Sequence, residues 1–230
     1  MNLTDALLDP LLARDPKGPR ITYYDDATGE RIELSTVTLA NWAAKTANLL
    51  RDELGAGPGS RIAVLLPSHW QTAAVLLGVW WIGAELVADS PADIALCTAD
   101  RLAEADDAVA GGEVAVLSLD AFGKPVPDLP IGVTDYATAV RVHGDQIVPE
   151  RFPGAALGGR GAEQVLADGR ELAASWGLTE SDRVMSLTPI TVDALVAVLA
   201  AGASLVEVAN PDPELLTRRR ESEKVTRVLD

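Results

Sequence analysis

Continuous apolar segments of strand length, separated by helical segments, are the feature that most constrains the fold of this chain. Arg61 to Leu66, Asp93 to Thr98 and Glu113 to Leu117 are such segments, and helices are predicted between them at about His69 to Ile82 and Arg101 to Val109. A strand that is apolar on both faces needs helices on both faces, as a parallel sheet provides. The pattern therefore predicts an α/β fold with a doubly wound, mostly parallel sheet.

The same alternation continues on either side of this region. Before it, we predict a short amphipathic helix, a β-hairpin around the turn at Asp25 to Gly29, and a long helix from Ser35 to Leu54 that Gly55 ends. After it, Pro149 to Gly161 is rich in glycine and irregular. We predict a junction there between an N-terminal α/β subdomain, 1–150, and a second α/β subdomain, 151–230, packed on it, with one continuous domain as the alternative. The predicted elements after the junction are Gln164 to Trp176, Arg183 to Leu187, Val192 to Ala201, Ser204 to Val208, Pro213 to Arg220 and Val225 to Leu229.

The charge of the chain argues against two classes of partner. Its formal net charge is -15, from 34 acidic and 19 basic residues. Such a surface repels phosphate backbones and anionic lipids, so we expect neither a nucleic-acid nor a membrane partner. The apolar stretch from Trp70 to Ala88 contains Glu85, and no basic segment precedes an apolar one near Met1. We therefore expect no membrane span and no secretory signal, and a cytoplasmic location.

Few residues suit a catalytic or metal centre. Cys97 is the only cysteine, which excludes an intrachain disulfide and a cysteine-rich metal site. Because it lies in the apolar run Ile94 to Cys97, a buried strand thiol is a better interpretation than a nucleophile. The two histidines, His69 and His143, have no spacing typical of zinc ligands, and no Gly-x-Ser-x-Gly elbow is present. We predict no catalytic residue and no metal site.

Several segments resemble, in order, the N-terminal region of the adenylate-forming family, which includes acyl-CoA synthetases, peptide-synthetase adenylation domains and luciferases. Pro58 to Pro67 is similar to the family's "pGDrVavllpN" strand, and Leu76 to Ala84 is similar to its "lallaawkaGA" segment. The resemblance implies the fold of the N-terminal part of such a synthetase. The other matching segments are Ile21 to Tyr24, Leu39 to Ala44, Gly177 to Val184 and Ala194 to Val208.

The resemblance also implies a phosphate-binding loop, and here the sequence departs from the family. That loop is rich in Ser, Thr and Gly and ends in Pro-Lys-Gly. At its expected place the chain has Ala155 to Glu163, with no Pro-Lys-Gly and with Arg160 as the only cation. A Walker A motif is absent too, and we find no match to the family's later motifs for adenine, ribose, magnesium and the catalytic lysine. We therefore predict no cofactor, and ATP or AMP is implied by the resemblance alone.

Five residues form the predicted ligand-binding set. Gly158, Gly159 and Arg160 precede a helix, where backbone amides can bind an anion, although a flexible turn is the alternative. His69 lies at a strand-to-helix junction, a position that faces ligands in doubly wound folds, with a capping or surface role as the alternative. Thr188 lies where the resemblance places the acyl site, in a segment without the aromatic-His pair that many members carry.

Two functions stay open at this point. The first is a non-catalytic relative of AMP-dependent synthetases and ligases, a scaffold that binds a small hydrophobic or acyl ligand, a protein partner or a second copy in a homodimer. The second is an enzyme half that adenylates a carboxylic acid when another chain completes it. The first is favoured, because a partner would have to supply the phosphate-binding loop at the right place.

Overall fold

The computed structural model describes residues 1–88 and 91–229, in which helices alternate with strands. The helices are Leu3–Arg14 (α1), Thr36–Asn48 (α2), Trp70–Trp81 (α3), Leu102–Val109 (α4), Tyr136–Ala139 (α5), Ala162–Ser175 (α6), Val192–Ala200 (α7) and Pro213–Ser222 (α8). The strands are Pro19–Asp25 (β1), Glu30–Ser35 (β2), Arg61–Leu65 (β3), Glu85–Val87 (β4), Ile94–Cys97 (β5), Glu113–Val116 (β6), Thr134–Asp135 (β7), Ala155–Leu157 (β8), Arg160–Gly161 (β9), Arg183–Ser186 (β10), Ser204–Ala209 (β11) and Arg227–Leu229 (β12). Single turns of 3-10 or π-helix lie at Leu49–Glu53, Ala99–Arg101 and Val140–Val142.

The chain forms two compact units that consist of interleaved segments. The first unit comprises Met1–Asp5, Ala40–Pro67 and Gln71–Glu163, and the second comprises Ala6–Leu39, Ser68–Trp70 and Gln164–Asp230. The predicted junction near residue 150 divides the chain only once. The interleaving arises because β1 pairs in parallel with β11, which places the N-terminal hairpin in the same sheet as the last strands.

The first unit contains a seven-stranded sheet in the order β7-β6-β5-β3-β4-β8-β9. Its strands are parallel except for the antiparallel pair β8–β9. All four residues of β5, Ile94 to Cys97, are buried, as a strand covered on both faces requires. The prediction of an α/β fold with mostly parallel strands and helices on both faces is confirmed.

The second unit contains a five-stranded sheet in the order β12-β10-β11-β1-β2, with β1 and β2 as its one antiparallel pair. The predicted hairpin is therefore confirmed. Helix α6 packs tightly against α7, because a Cβ at Gly169 would lie only 2.6 Å from Val196 Cγ1. Residues Ala194 to Leu199 of α7 are all buried, so this helix contributes to the unit's core.

Two local predictions differ from the structure. Pro149 to Gly161 is not irregular throughout, because β8 and β9 pair as a short hairpin within it. The long helix predicted from Ser35 to Leu54 is regular only to Asn48, after which the chain forms a π-helical turn. The apolar stretch Trp70 to Ala88 divides into α3 and β4, and none of the helices in 1–88 and 91–229 is long and apolar enough to cross a membrane.

Candidate functional site

A cleft of about 370 Å³ opens where β5 and β6 end in the seven-stranded sheet. In open α/β sheets, ligands bind outside the carboxyl ends of the parallel strands, which is the edge that this cleft occupies. Its walls combine apolar side chains with a few polar groups, the usual composition of small-molecule sites. The lining residues are Thr98, Ala99, Asp100, Leu117, Ser118, Pro125, Val126 and Pro127.

Side-chain hydrogen bonds fix the segment that forms one wall of the cleft. Ser118 Oγ donates to the carbonyl of Lys124 at 2.6 Å, and Asp120 Oδ1 accepts from the amides of Phe122 and Lys124 at 2.9 and 3.2 Å. The amide of Val126 donates to a carboxylate oxygen of Asp135 at 2.7 Å. The wall is thus held in place without a helix or strand of its own.

Asp100 is the one ionisable side chain among the described residues that line the cleft, and it is exposed. Cys97, at the end of β5, is fully buried, and burial raises the pKa of its thiol to about 11. The prediction of a buried strand thiol is confirmed, and a protonated, buried thiol is a poor nucleophile.

The structure places Gly158, Gly159 and Arg160 at the β8–β9 hairpin. Both glycines have positive φ angles, 53° and 80°, as a tight hairpin turn requires. The amide of Gly159 donates to Glu85 Oε1 at 2.6 Å, so the chain's own carboxylate occupies this donor. Arg160 belongs to β9, immediately before α6.

A second group of polar residues lies in the five-stranded sheet, on one row that crosses three strands. Glu207 of β11 pairs in register with Tyr23 of β1 and Ser186 of β10, so the three side chains share a face. Glu207 is 4% exposed and hydrogen-bonds to Ser68. Burial raises the pKa of Glu207 to about 7, and among residues 1–88 and 91–229 no arginine or lysine forms an ion pair with it.

His69 lies beside this row. It is 4% exposed, its ring meets Tyr23 edge to face at 4.4 Å between centroids, and its Nε2 lies 3.6 Å from Glu30 Oε1. Burial lowers the pKa of His69 to about 4, so the ring is neutral at physiological pH. The structure therefore places His69 inside the second unit and not at its surface.

Thr188 is exposed, and its segment is anchored next to His69. Ser186 Oγ donates to the carbonyl of Thr188 at 2.8 Å, and the amide of Ile190 donates to Ser68 Oγ at 3.0 Å. His69 and Thr188 therefore belong to one unit and are linked through Ser68. Gly158, Gly159 and Arg160 belong to the other unit.

The sequence analysis missed the buried glutamate and the wall of the cleft. A signal for Glu207 exists, because it interrupts the apolar strand Leu205 to Val208, where a charged residue is rarely tolerated. No comparable signal marks the segment from Ser118 to Val126. Its conformation depends on side-chain hydrogen bonds of Ser118, Asp120 and Asp135, which match no sequence motif. Within residues 1–88 and 91–229, no group of three His, Cys, Asp or Glu side chains is arranged to hold a metal ion.

Comparison with known proteins places the chain in a family. No known family profile matches the sequence. A protein of Mycobacterium tuberculosis named "TIGR03089 family protein" is 69% identical over 237 residues, which cover 99% of this chain and 98% of that protein. The chain belongs to the TIGR03089 family.

Solved structures show which fold this TIGR03089 family protein adopts. An acyl-CoA synthetase of Brucella canis matches 99% of the chain with a TM-score of 0.79 at 19% identity, and MatB of Rhodopseudomonas palustris matches 99% with a TM-score of 0.76 at 19% identity. A fatty acyl CoA synthetase of Mycobacterium tuberculosis matches 97% with a TM-score of 0.70 at 17% identity. The chain spans about half the length of these structures, 47%, 48% and 48% respectively. The fold is thus that of acyl-CoA synthetases over about half of their length.

Proposed function

We propose that this chain is a non-catalytic relative of AMP-dependent synthetases and ligases that binds a small molecule on a synthetase-like scaffold. The observation that carries the proposal is the β8–β9 hairpin. It lies at Ala155–Gly161, within the segment Ala155 to Glu163 where the resemblance to the family implies a phosphate-binding loop, and its turn amide donates to the chain's own Glu85.

The hairpin lacks what a phosphate-binding loop needs. Such a loop directs several free backbone amides and a lysine at the phosphates. Here Ala155 and Gly161 pair across the hairpin, the amide of Gly159 is 2.6 Å from a Glu85 oxygen, and Arg160 is the only cation of the segment. A phosphate at this turn would have to displace a carboxylate and would be repelled by it.

ATP-pyrophosphate exchange tests this part of the proposal. The full chain is assayed with acetate, octanoate and benzoate as acyl donors, beside the matched variants Glu85→Gln and Arg160→Gln. We expect all three proteins to give the rate measured without protein. Exchange by the unmodified chain that Arg160→Gln abolishes would overturn the proposal. Exchange that appears only on adding a second chain would support the alternative, an enzyme half.

The cleft at the ends of β5 and β6 is the binding site that we propose for the small molecule. Apolar walls and one exposed carboxylate favour a neutral molecule with an apolar body, so octanamide is a suitable probe. Pro127→Trp puts a large ring at the lining, and Val148→Trp adds the same ring at a position that is 77% exposed and does not line the cleft. Calorimetric titration should show octanamide binding that Pro127→Trp removes and Val148→Trp retains. Equal binding by both variants would contradict this assignment.

A further inference from the structure

A second pocket, of about 280 Å³, lies in the second unit. It is at the edge of the five-stranded sheet where the parallel strands β1, β10 and β11 begin. It stands out in a protein of net charge -15 because four basic side chains line it. All of its lining residues belong to the second unit. They are Arg14, Asp15, Pro19, Arg20, Glu180, Ser181, Asp182, Arg183, Ser204 and Lys224.

Arg20 is the central cation of this pocket. It is only 3% exposed, yet among residues 1–88 and 91–229 it forms no ion pair with a carboxylate. Its Nε donates to Thr36 Oγ1 at 3.2 Å, and its Nη1 donates to the carbonyls of Gly202 and Ala203 at 2.8 and 2.6 Å. These bonds fix the guanidinium and leave Nη2 without a hydrogen bond to any described residue. A buried charge without a carboxylate in direct contact is costly, and an anionic ligand would relieve this cost.

Arg14 is held next to Arg20. Its Nη2 donates to the carbonyl of Gly202 at 2.8 Å, the same oxygen that accepts from Arg20 Nη1. Two guanidinium groups therefore meet at one carbonyl oxygen. Burial, followed by the charge of Arg14, lowers the pKa of Arg20, and the charge of Asp15 offsets part of this effect.

The acidic residues of the pocket are occupied elsewhere. Asp182 accepts from the amide and hydroxyl of Thr179 and from the hydroxyl of Thr226. Glu180 pairs with Arg14, and Asp15 accepts from the amide of Gly18 at 2.9 Å. None of these three carboxylates lies within 4.0 Å of Arg20.

We propose that this pocket binds an oxyanion of the phosphate class, held by Arg20, Arg14 and Lys224. A tetrahedral dianion can accept from Arg20 Nη2 and from its neighbours at once, and guanidinium groups are well suited to such bidentate contacts. The volume accommodates inorganic phosphate or the phosphate group of a small ester. The pocket shares no residue with the β8–β9 hairpin or the β5–β6 cleft, so this inference is independent of the proposed function.

Calorimetric titration of the full chain with inorganic phosphate tests the inference, with sodium chloride keeping the ionic strength constant. We expect saturable binding that Arg14→Gln and Lys224→Gln each weaken by roughly tenfold, the loss typical of one charge-assisted hydrogen bond. Arg101→Gln is the matched control, because Arg101 is a half-buried arginine outside the pocket that pairs with Glu104. It should bind phosphate as the unmodified chain does.

A second experiment identifies the form of the ligand, and melting temperatures show whether the variants are folded. Arg20 is buried, so its replacement can unfold the unit. The test therefore uses Arg14→Gln and Lys224→Gln, whose melting temperatures should equal that of the unmodified chain. Methyl phosphate binding more tightly than inorganic phosphate would indicate a phosphate ester, and the reverse would indicate the free ion. Absence of saturable binding, or equal affinities in Arg14→Gln and Arg101→Gln, would overturn the proposal.

Discussion

Glu207 and Glu223 are both buried glutamates of the second unit, yet their pKa values move in opposite directions. Glu207 is 4% exposed and accepts a hydrogen bond from the hydroxyl of Ser68, and burial raises its pKa to about 7. Glu223 is 7% exposed, but Arg31 and Arg183 lie 2.9 and 2.5 Å from its oxygens and Tyr24 donates to it. Together these donors outweigh burial and lower its pKa to about 2.

The difference shows that the environment of a buried carboxyl group decides its charge. Glu223 is a carboxylate that joins the end of α8 to β10 and β2 through charged partners. Glu207 is a carboxyl group that is half protonated near neutral pH and lies among neutral side chains. The first should stabilise the unit at physiological pH, and the second should destabilise it there.

The largest effect is expected at Glu223. Glu223→Gln removes the nearer carboxylate partner of Arg183, which is 11% exposed, and leaves it only the longer contact with Glu33 at 3.9 Å. Breaking a buried pair in this way should lower the free energy of unfolding by about 4 kcal/mol, measured by urea denaturation at pH 7. Glu221→Gln, at an exposed position in the last turn of α8, is the control and should change it by less than about 0.5 kcal/mol. Equal effects of the two changes would show that the ion pairs are not stabilising.

Glu207→Gln should raise the free energy of unfolding, and the size of this increase should depend on pH. Below pH 4.5 the group is protonated in the folded and unfolded states. As the pH rises towards 7, the unfolded state ionises first, so the folded state of the unmodified chain loses stability relative to the variant. With a folded pKa of about 7, the variant should gain about 3 kcal/mol at pH 8.

Urea denaturation at pH 5 and pH 8 measures this gain. Glu163→Gln, at an exposed position, is the control and should show no such pH dependence. If the advantage of Glu207→Gln were the same at both pH values, Glu207 would not be protonated in the folded protein.

The smallest effect is expected for Tyr24→Phe. The change removes the hydroxyl that donates to Glu223 Oε1 but keeps the ring, over which the Arg219 guanidinium lies at 3.9 Å from the centroid. Loss of one hydrogen bond to a carboxylate should cost about 1 kcal/mol. The pKa of Glu223 should also rise, so the midpoint of acid unfolding should move to higher pH. A midpoint that does not move would assign the low pKa to the arginines alone.

The apolar pattern was sufficient to predict the fold class. Arg61 to Leu66 and Asp93 to Thr98 have no polar face, and both proved to be parallel strands, β3 and β5. The pattern does not show which strands pair when they are far apart in the sequence. Nothing in the hairpin Ile21 to Tyr24 indicates that its partner is Leu205 to Val208, so the interleaving of the two units could not be predicted.

The sites were harder to predict because they depend on partners that are distant in sequence. Gly159 was predicted as an anion ligand from its neighbours alone, whereas its amide is bonded to Glu85, which lies 74 positions earlier. Arg20 looks like an ordinary residue at the start of a strand, and its unusual environment depends on Arg14 and Gly202. Such arrangements come from tertiary structure, on which short motifs carry no information.

The parallel pairing of β1 with β11 has a consequence for synthesis of the protein. The roughly 180 residues between Ile21 and Leu205 take about 10 to 40 s to translate, and until then one edge of β1 has no partner. A strand edge in that state can pair with other chains. In the nascent chain this edge of β1 therefore stays unpaired with its native partner until β11 leaves the ribosome.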